Sequence, residues 1–107
     1  MGSDVRLIIH YAEVEIRAMA ERLVNHCMVD CIGPFDVTPS CLAVWVKTKT
    51  DQERDLLIAS PGLQDELRHV FRLRGYPEVA IPTIAFAFQS QETVERDFKG
   101  DWGLAIR

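Results

Sequence analysis

Cysteine is sparse in this sequence: three residues, Cys27, Cys31 and Cys41, among 107. So thin and odd a set does not make the disulfide framework of a small secreted scaffold, and reduced thiols are the expectation. Long hydrophobic runs are missing as well. No stretch approaches the ~18 apolar residues of a membrane-spanning helix. Nor does a basic segment lead into an apolar stretch and a small-residue cleavage site, so a cytoplasmic protein without membrane contact is expected. Glycine and proline number only 6 and 5 and form no repeat, which excludes collagen-like and low-complexity chains. An excess of positive charge is lacking too. Against 12 Lys and Arg stand 16 Asp and Glu, a net charge of −4 that argues against binding DNA by charge alone.

What is present is ordinary for a soluble domain: 48% hydrophobic and 26% charged residues. Residues 1–107 fit a single domain with a core of its own. Met1-Gly2-Ser3 reads as an expression remnant rather than as part of the fold.

The apolar pattern divides the chain. Val5, Ile8, Ile9, Ala12, Ile16, Met19, Ala20, Leu23, Val24 and Cys27 recur at helical spacing, with Asp4 or Ser3 available as cap. A competing reading makes Val5, Leu7 and Ile9 a short strand and starts the helix near Tyr11. Gly33, Pro34 and Pro39 then punctuate a segment whose only expected strand is a short edge piece at 35–37. Residues 41–48 alternate as a strand, with Leu42, Val44 and Val46 on one side. Thr50 and Glu53 match a capping box opening a helix over 52–59. Pro61 suits the first turn of a second helix, with Ser60 as its cap and Leu63, Leu67, Val70 and Phe71 as its buried stripe. Gly75 is its expected left-handed stop. Residues 84–88 predict a central strand whose Ala85 and Ala87 leave room for a close helix. Ser90 is placed to cap a short helix over 91–98, and residues 102–106 complete the chain as a final strand. This order predicts an α+β two-layer sandwich: a small, mostly antiparallel sheet of three or four strands with helices on one face.

Few residues invite chemistry. His26, Cys27, Cys31 and Cys41 are the one cluster of soft ligands, but Cys27 continues an apolar stripe and Cys41 opens a strand. Buried thiols are the expectation, with no metal and no cofactor. His10, His26 and His69 are scattered, and no nucleophile elbow or glycine-rich phosphate loop occurs. Asp65 lies four residues before His69, the spacing of a surface contact on a helix, and Glu92 stands four before Arg96 in the same way. No catalytic residue is singled out, and a non-enzymatic protein is expected.

Two charged segments remain. Arg68, Arg72 and Arg74 gather positive charge at a helix end, where cations also suit the helix dipole. The turn and strand Val37-Thr38-Pro39-Ser40-Cys41-Leu42-Ala43-Val44-Trp45-Val46, followed by Ile58-Ala59-Ser60-Pro61-Gly62-Leu63 and the helix to Arg74, is similar to the order in the ribosome-binding factor A family. That resemblance spans roughly residues 12–88. It implies a KH-like fold that contacts ribosomal RNA, here through Arg68, Arg72 and Arg74. Three features depart from it: Pro34 interrupts the first hairpin strand, the first helix is not basic, and residues 89–107 have no counterpart.

The second segment is acidic. Glu92, Glu95, Asp97 and Asp101 stand near Phe98 and Trp102, a combination suited to a protein interface, because tryptophan anchors and carboxylates steer a basic partner. The leading expectation is therefore a protein-binding domain, such as an immunity-type inhibitor of a basic nuclease, acting through Glu92, Glu95, Asp97, Asp101 and Trp102. RNA binding is the alternative. An exposed strand at 41–48 or 102–106 would add a homodimer.

Overall fold

The computed structural model describes residues 4–106, so Met1-Gly2-Ser3 and Arg107 lie outside the described residues. Helix α1 (Val5–Ala20) opens where Asp4 accepts the Arg6 N–H at 3.0 Å, and the helical reading of its first residues holds. It stops earlier than the apolar stripe predicts. Strand β1 (Cys27–Ile32) follows, not a continuing helix. Cys27 falls in phase with the helical stripe, but Cys27 and Val29 also alternate inward while Met28 is 58% exposed. The period of two prevails because β1 has a partner: it pairs antiparallel with β2 (Ala43–Thr48), Val29 opposite Val46.

No strand forms at 35–37. Prolines at 34 and 39 cannot donate to a ladder, and the Pro34 carbonyl instead accepts the Val37 and Thr38 N–H groups at 3.0 and 2.7 Å. Gly33 makes the return possible. Its φ is +121°, and a Cβ there would collide with the Cys41 carbonyl oxygen.

The capping box appears as predicted. Thr50 accepts the Glu53 N–H, and the Glu53 carboxylate reaches back to Thr50, opening α2 (Asp51–Ala59). Ser60 does not cap the next helix; its hydroxyl donates to the Leu56 carbonyl at 2.9 Å and closes α2. Gly62, left-handed at φ 73°, starts α3 (Leu63–Leu73), so Pro61 lies in the break. The predicted stripe of Leu63, Leu67, Val70 and Phe71 is buried, and Gly75 ends the helix at φ 87°. A 3-10 segment (Glu78–Thr83) leads to β3 (Ala85–Ser90).

The α+β two-layer class is observed, with one correction to the sheet. It has three strands in the order β1-β2-β3 and is mixed, because β2 and β3 run parallel. Helices α2 and α3 form the crossover that returns the chain in the same direction, as parallel pairing requires. Strand β3 is consequently an edge, not central. Strand β2 is paired on both sides, so residues 41–48 have no free edge for a second copy.

Val44 and Val46 of β2 meet Ile8, Ile9, Ala12 and Ile16 of α1 and Leu67, Val70 and Phe71 of α3 in the core. Phe86 and Phe88 pack against it from β3. Ala85 and Ala87 point to the other face of the sheet, together with Trp45 and Lys47, and admit no helix of the main core. Ser90 caps α4 (Gln91–Phe98) as expected. The predicted last strand is instead a short helix, α5 (Trp102–Ile106), because the Asp101 carboxylate accepts the Gly103 and Leu104 N–H groups at 2.8 and 3.3 Å. Among the described residues no helix is long and apolar enough to cross a membrane.

Candidate functional site: an outward row on the first helix

The acidic segment largely serves the fold. Glu92 accepts the Asp51 N–H at 2.8 Å, joining α4 to the first turn of α2, rather than pairing with Arg96. Asp101 starts α5, and Glu95 accepts from Gln91 at 3.3 Å. Asp97 pairs with its neighbour Arg96 at 3.2 Å. Trp102 is half-buried, its indole N–H donating to Gln91 at 2.7 Å while the Lys47 ammonium stands 4.7 Å from the ring centroid. All four carboxylates still face solvent at their outer edges.

The three arginines of the alternative site point apart. Arg68 lies over the Phe86 ring at 5.1 Å and pairs with Asp65 at 3.6 Å, which leaves His69 without the Asp65 contact its spacing suggests. Arg72 pairs with Glu78 at 3.0 Å, and Arg74 reaches Glu15 of α1 and the Tyr11 ring. Each cation thus has an acidic neighbour. A cavity of about 270 Å³ sits at the α2–α3 break, walled by Ser60, Gly62, Phe88 and, of the three arginines, Arg68 alone.

The soft ligands do not converge. Cys27 and Cys31 both face the core side of β1, whereas Cys41 is exposed in the loop beyond. Among the described residues no three His, Cys, Asp or Glu groups are placed to hold a metal. Burial pushes the Cys27 thiol up to about 11, and burial with the Glu13 carboxylate beside it raises Cys31 further. Both are therefore protonated near neutral pH, which suits packing rather than nucleophilic chemistry.

A polar junction does form, around Asp51. Its carboxylate accepts from the hydroxyls of Ser90 and Thr93, the latter at 2.6 Å, and from Arg96 at 3.0 Å. These donors hold the carboxyl well below the usual range for aspartate, the Ser90 hydroxyl foremost. Arg54 closes the ring by donating to Thr93 and Gln89 at 2.7 and 3.0 Å. Its acceptors are filled by the chain's own donors, so it fastens α2, β3 and α4 together.

The surface that sequence reasoning passed over is on α1. Leu7, Tyr11 and Val14 are 51, 46 and 57% exposed, and their spacing of four and three places them in one row with Ala18. This row lies opposite the buried Ile8, Ile9, Ala12 and Ile16, so the helix is apolar on two sides. The i, i+4, i+7 spacing of Leu7, Tyr11 and Val14 is visible in the sequence, but the stripe through Ile8, Ile9, Ala12 and Ile16 is the longer one and masks it. Between α1 and α3, Met19, Val70 and Leu73 line a shallow cleft of about 540 Å³ together with the charged Glu15, Asp65, Glu66 and Arg72, and Leu73 is 68% exposed.

No family model, curated protein or solved structure matches this chain.

Proposed function

We propose that the chain is a non-enzymatic protein-binding domain whose contact element is the outer row of α1. The observation that carries this reading is the exposure of Leu7, Tyr11 and Val14 on one helical line. Isolated exposed apolar residues need no explanation, but a contiguous patch on one helix face is the form a helix-docking surface takes. Hydrophobic burial against a partner supplies the affinity. The acidic end of the molecule, with Glu95 and Asp97 directed outward, steers a basic partner at longer range. The finer reading, an immunity-type inhibitor, rests on that steering together with the segment Glu92 to Trp102.

A second reading, contact with RNA, is favoured by one observation. The parallel β2 and β3 flank a two-helix crossover with a cavity at its Ser60–Gly62 break, in the order implied by the resemblance to ribosome-binding factor A. The ion pairs at Arg68, Arg72 and Arg74 weigh against it.

A photo-crosslinking residue placed at position 14, 95 or 72 separates these readings in cells that make the protein. The expected result is a discrete protein adduct from position 14. Adducts confined to position 95 would transfer the interface to the acidic segment. Adducts to RNA from position 72, with none from 14, would replace the reading by the second one.

A further inference from the structure

One cavity gathers positive charge that the rest of this acidic chain disperses. It measures about 420 Å³ and lies where the end of α1, the start of β1, the end of β2 and α5 meet. Arg17, His26, Lys47 and Lys49 stand around it, and Met28 and Trp102 form its apolar walls. Two of the chain's three lysines are here. No carboxylate lines the cavity itself, although Glu21 lies 3.6 Å from Arg17 and 3.8 Å from the His26 imidazole, and Asp30 pairs with Lys47. Among the described residues Lys49 makes no ion pair.

The tryptophan is fixed in place. Its N–H is held by Gln91, and Lys47 lies against the ring, so the indole forms a wall of defined orientation. A site with flat apolar walls and a cationic rim selects a small organic anion with a planar body. Binding sites of roughly 300–1,000 Å³ lined mainly by apolar groups with a few placed polar ones are typical for such ligands. Lysine and arginine recognise phosphate, and an indole stacks on a nucleobase.

We propose that this cavity binds a nucleotide, with its phosphate between Lys49 and Arg17 and its base against Trp102 and Met28. The site is separate from the α1 row and does not depend on a protein partner. A free nucleotide and the 5′-phosphorylated end of an RNA strand share this chemistry, so both serve as probes.

Isothermal calorimetry of the full chain with adenosine 5′-monophosphate, and in parallel with a 5′-phosphorylated hexaribonucleotide, tests the proposal. Saturable one-site binding of either probe is expected, and the better of the two identifies the source. Lys49→Glu should weaken it by about tenfold or more, the loss of one charge-assisted contact. Trp102→Leu should weaken it by about tenfold, as loss of one stacked base does. Unchanged circular dichroism controls for folding of both variants. A Trp45→Phe chain, in which Trp102 is the remaining indole, reads the same event as fluorescence quenching. Absence of saturable binding by both probes overturns the proposal. So does binding that both variants leave intact, or inorganic phosphate binding as tightly as the nucleotide.

Discussion

The two sides of this molecule are fastened by different chemistry. On the inner face of α1 the contacts are apolar: Ile8, Ile9, Ala12 and Ile16 meet Val44 and Val46 and the stripe of α3 with no charged group among them. Where β2 and β3 end, the contacts are polar, and Asp51, Ser90, Thr93, Arg96 and Arg54 form one hydrogen-bonded ring. The first kind of fastening is non-directional and tolerates surplus apolar groups on the outside of the same helix. The second is directional and uses up its own donors and acceptors, leaving little for a ligand. Exposed apolar surface and the cation-lined cavity lie on the apolar side and along the rim of the sheet, and it is there that the two proposed contacts are placed, not at the junction.

The largest expected effect belongs to the apolar side. Ile16 is fully buried, and Ile16→Ala should cost about 2–5 kcal/mol through lost burial and the cavity left behind. Denaturant unfolding measures this, and the loss should be the same at pH 5 and pH 7 because no titrating group is involved. A loss under 1 kcal/mol would mean that α1 is not part of the cooperative core.

On the polar side, Thr50→Ala removes the hydroxyl that accepts the Glu53 N–H at 3.1 Å. The expected loss is about 1 kcal/mol, typical of a helix cap, again read from denaturant unfolding. This site was also the most legible in the sequence. Thr50 and Glu53 are three apart, Ser90 precedes a polar helix start, and Leu63, Leu67, Val70 and Phe71 are spaced for one face. All of these are local relations, and local relations survive in a linear text. Other elements depended on partners far along the chain. Strand β1 was hidden because Cys27 fits helical and alternating phases alike until β2 stands beside it. The parallel pairing of β3 arises only once α2 and α3 carry the chain across. α5 replaces a strand because Asp101 supplies a cap, a short-range cue that the apolar residues around Gly103 obscure. The candidate surface was legible in part. Leu7, Tyr11 and Val14 show their spacing in the sequence, but which apolar row of α1 faces inward is decided by the sheet.

Acid should separate the two sides further. The Asp51 carboxyl titrates in the folded chain well below its ordinary 3.8, held there by the Ser90 and Thr93 hydroxyls and Arg96. Glu53 is lowered too, chiefly by the Asn25 N–H. A lowered folded value means that the unfolded chain takes up the proton first as pH falls. The stabilisation is complete above the unfolded value and is lost progressively below it, toward the folded one. Melting temperatures should thus fall as the pH drops below the ordinary carboxylate values of about 4, and go on falling toward the lowered folded value of Asp51. Asp51→Asn, which keeps the shape but drops the charge, should flatten that slope, while Ile16→Ala should leave it unchanged. Equal slopes in wild type and Asp51→Asn would show that the junction does not set the acid response.

The smallest effect on stability should come from the outer row, and there the comparison becomes functional. Tyr11→Ser with Val14→Ser exchanges apolar groups that are 46 and 57% exposed, so little burial is forfeited in the isolated chain. Substitutions at such surface positions usually change stability by less than about 0.5 kcal/mol each. If the row exists to meet a partner, the same pair of changes should abolish the protein adduct formed from a crosslinker at Leu7 while the melting temperature stays within a few degrees of wild type. The inner face gives the opposite pattern, since Ile16→Ala lowers the melting temperature and leaves the row's chemistry intact. A double variant that unfolds readily would mean that the outer row is part of the fold. One that keeps its adduct would mean that these side chains stand exposed for no partner at all.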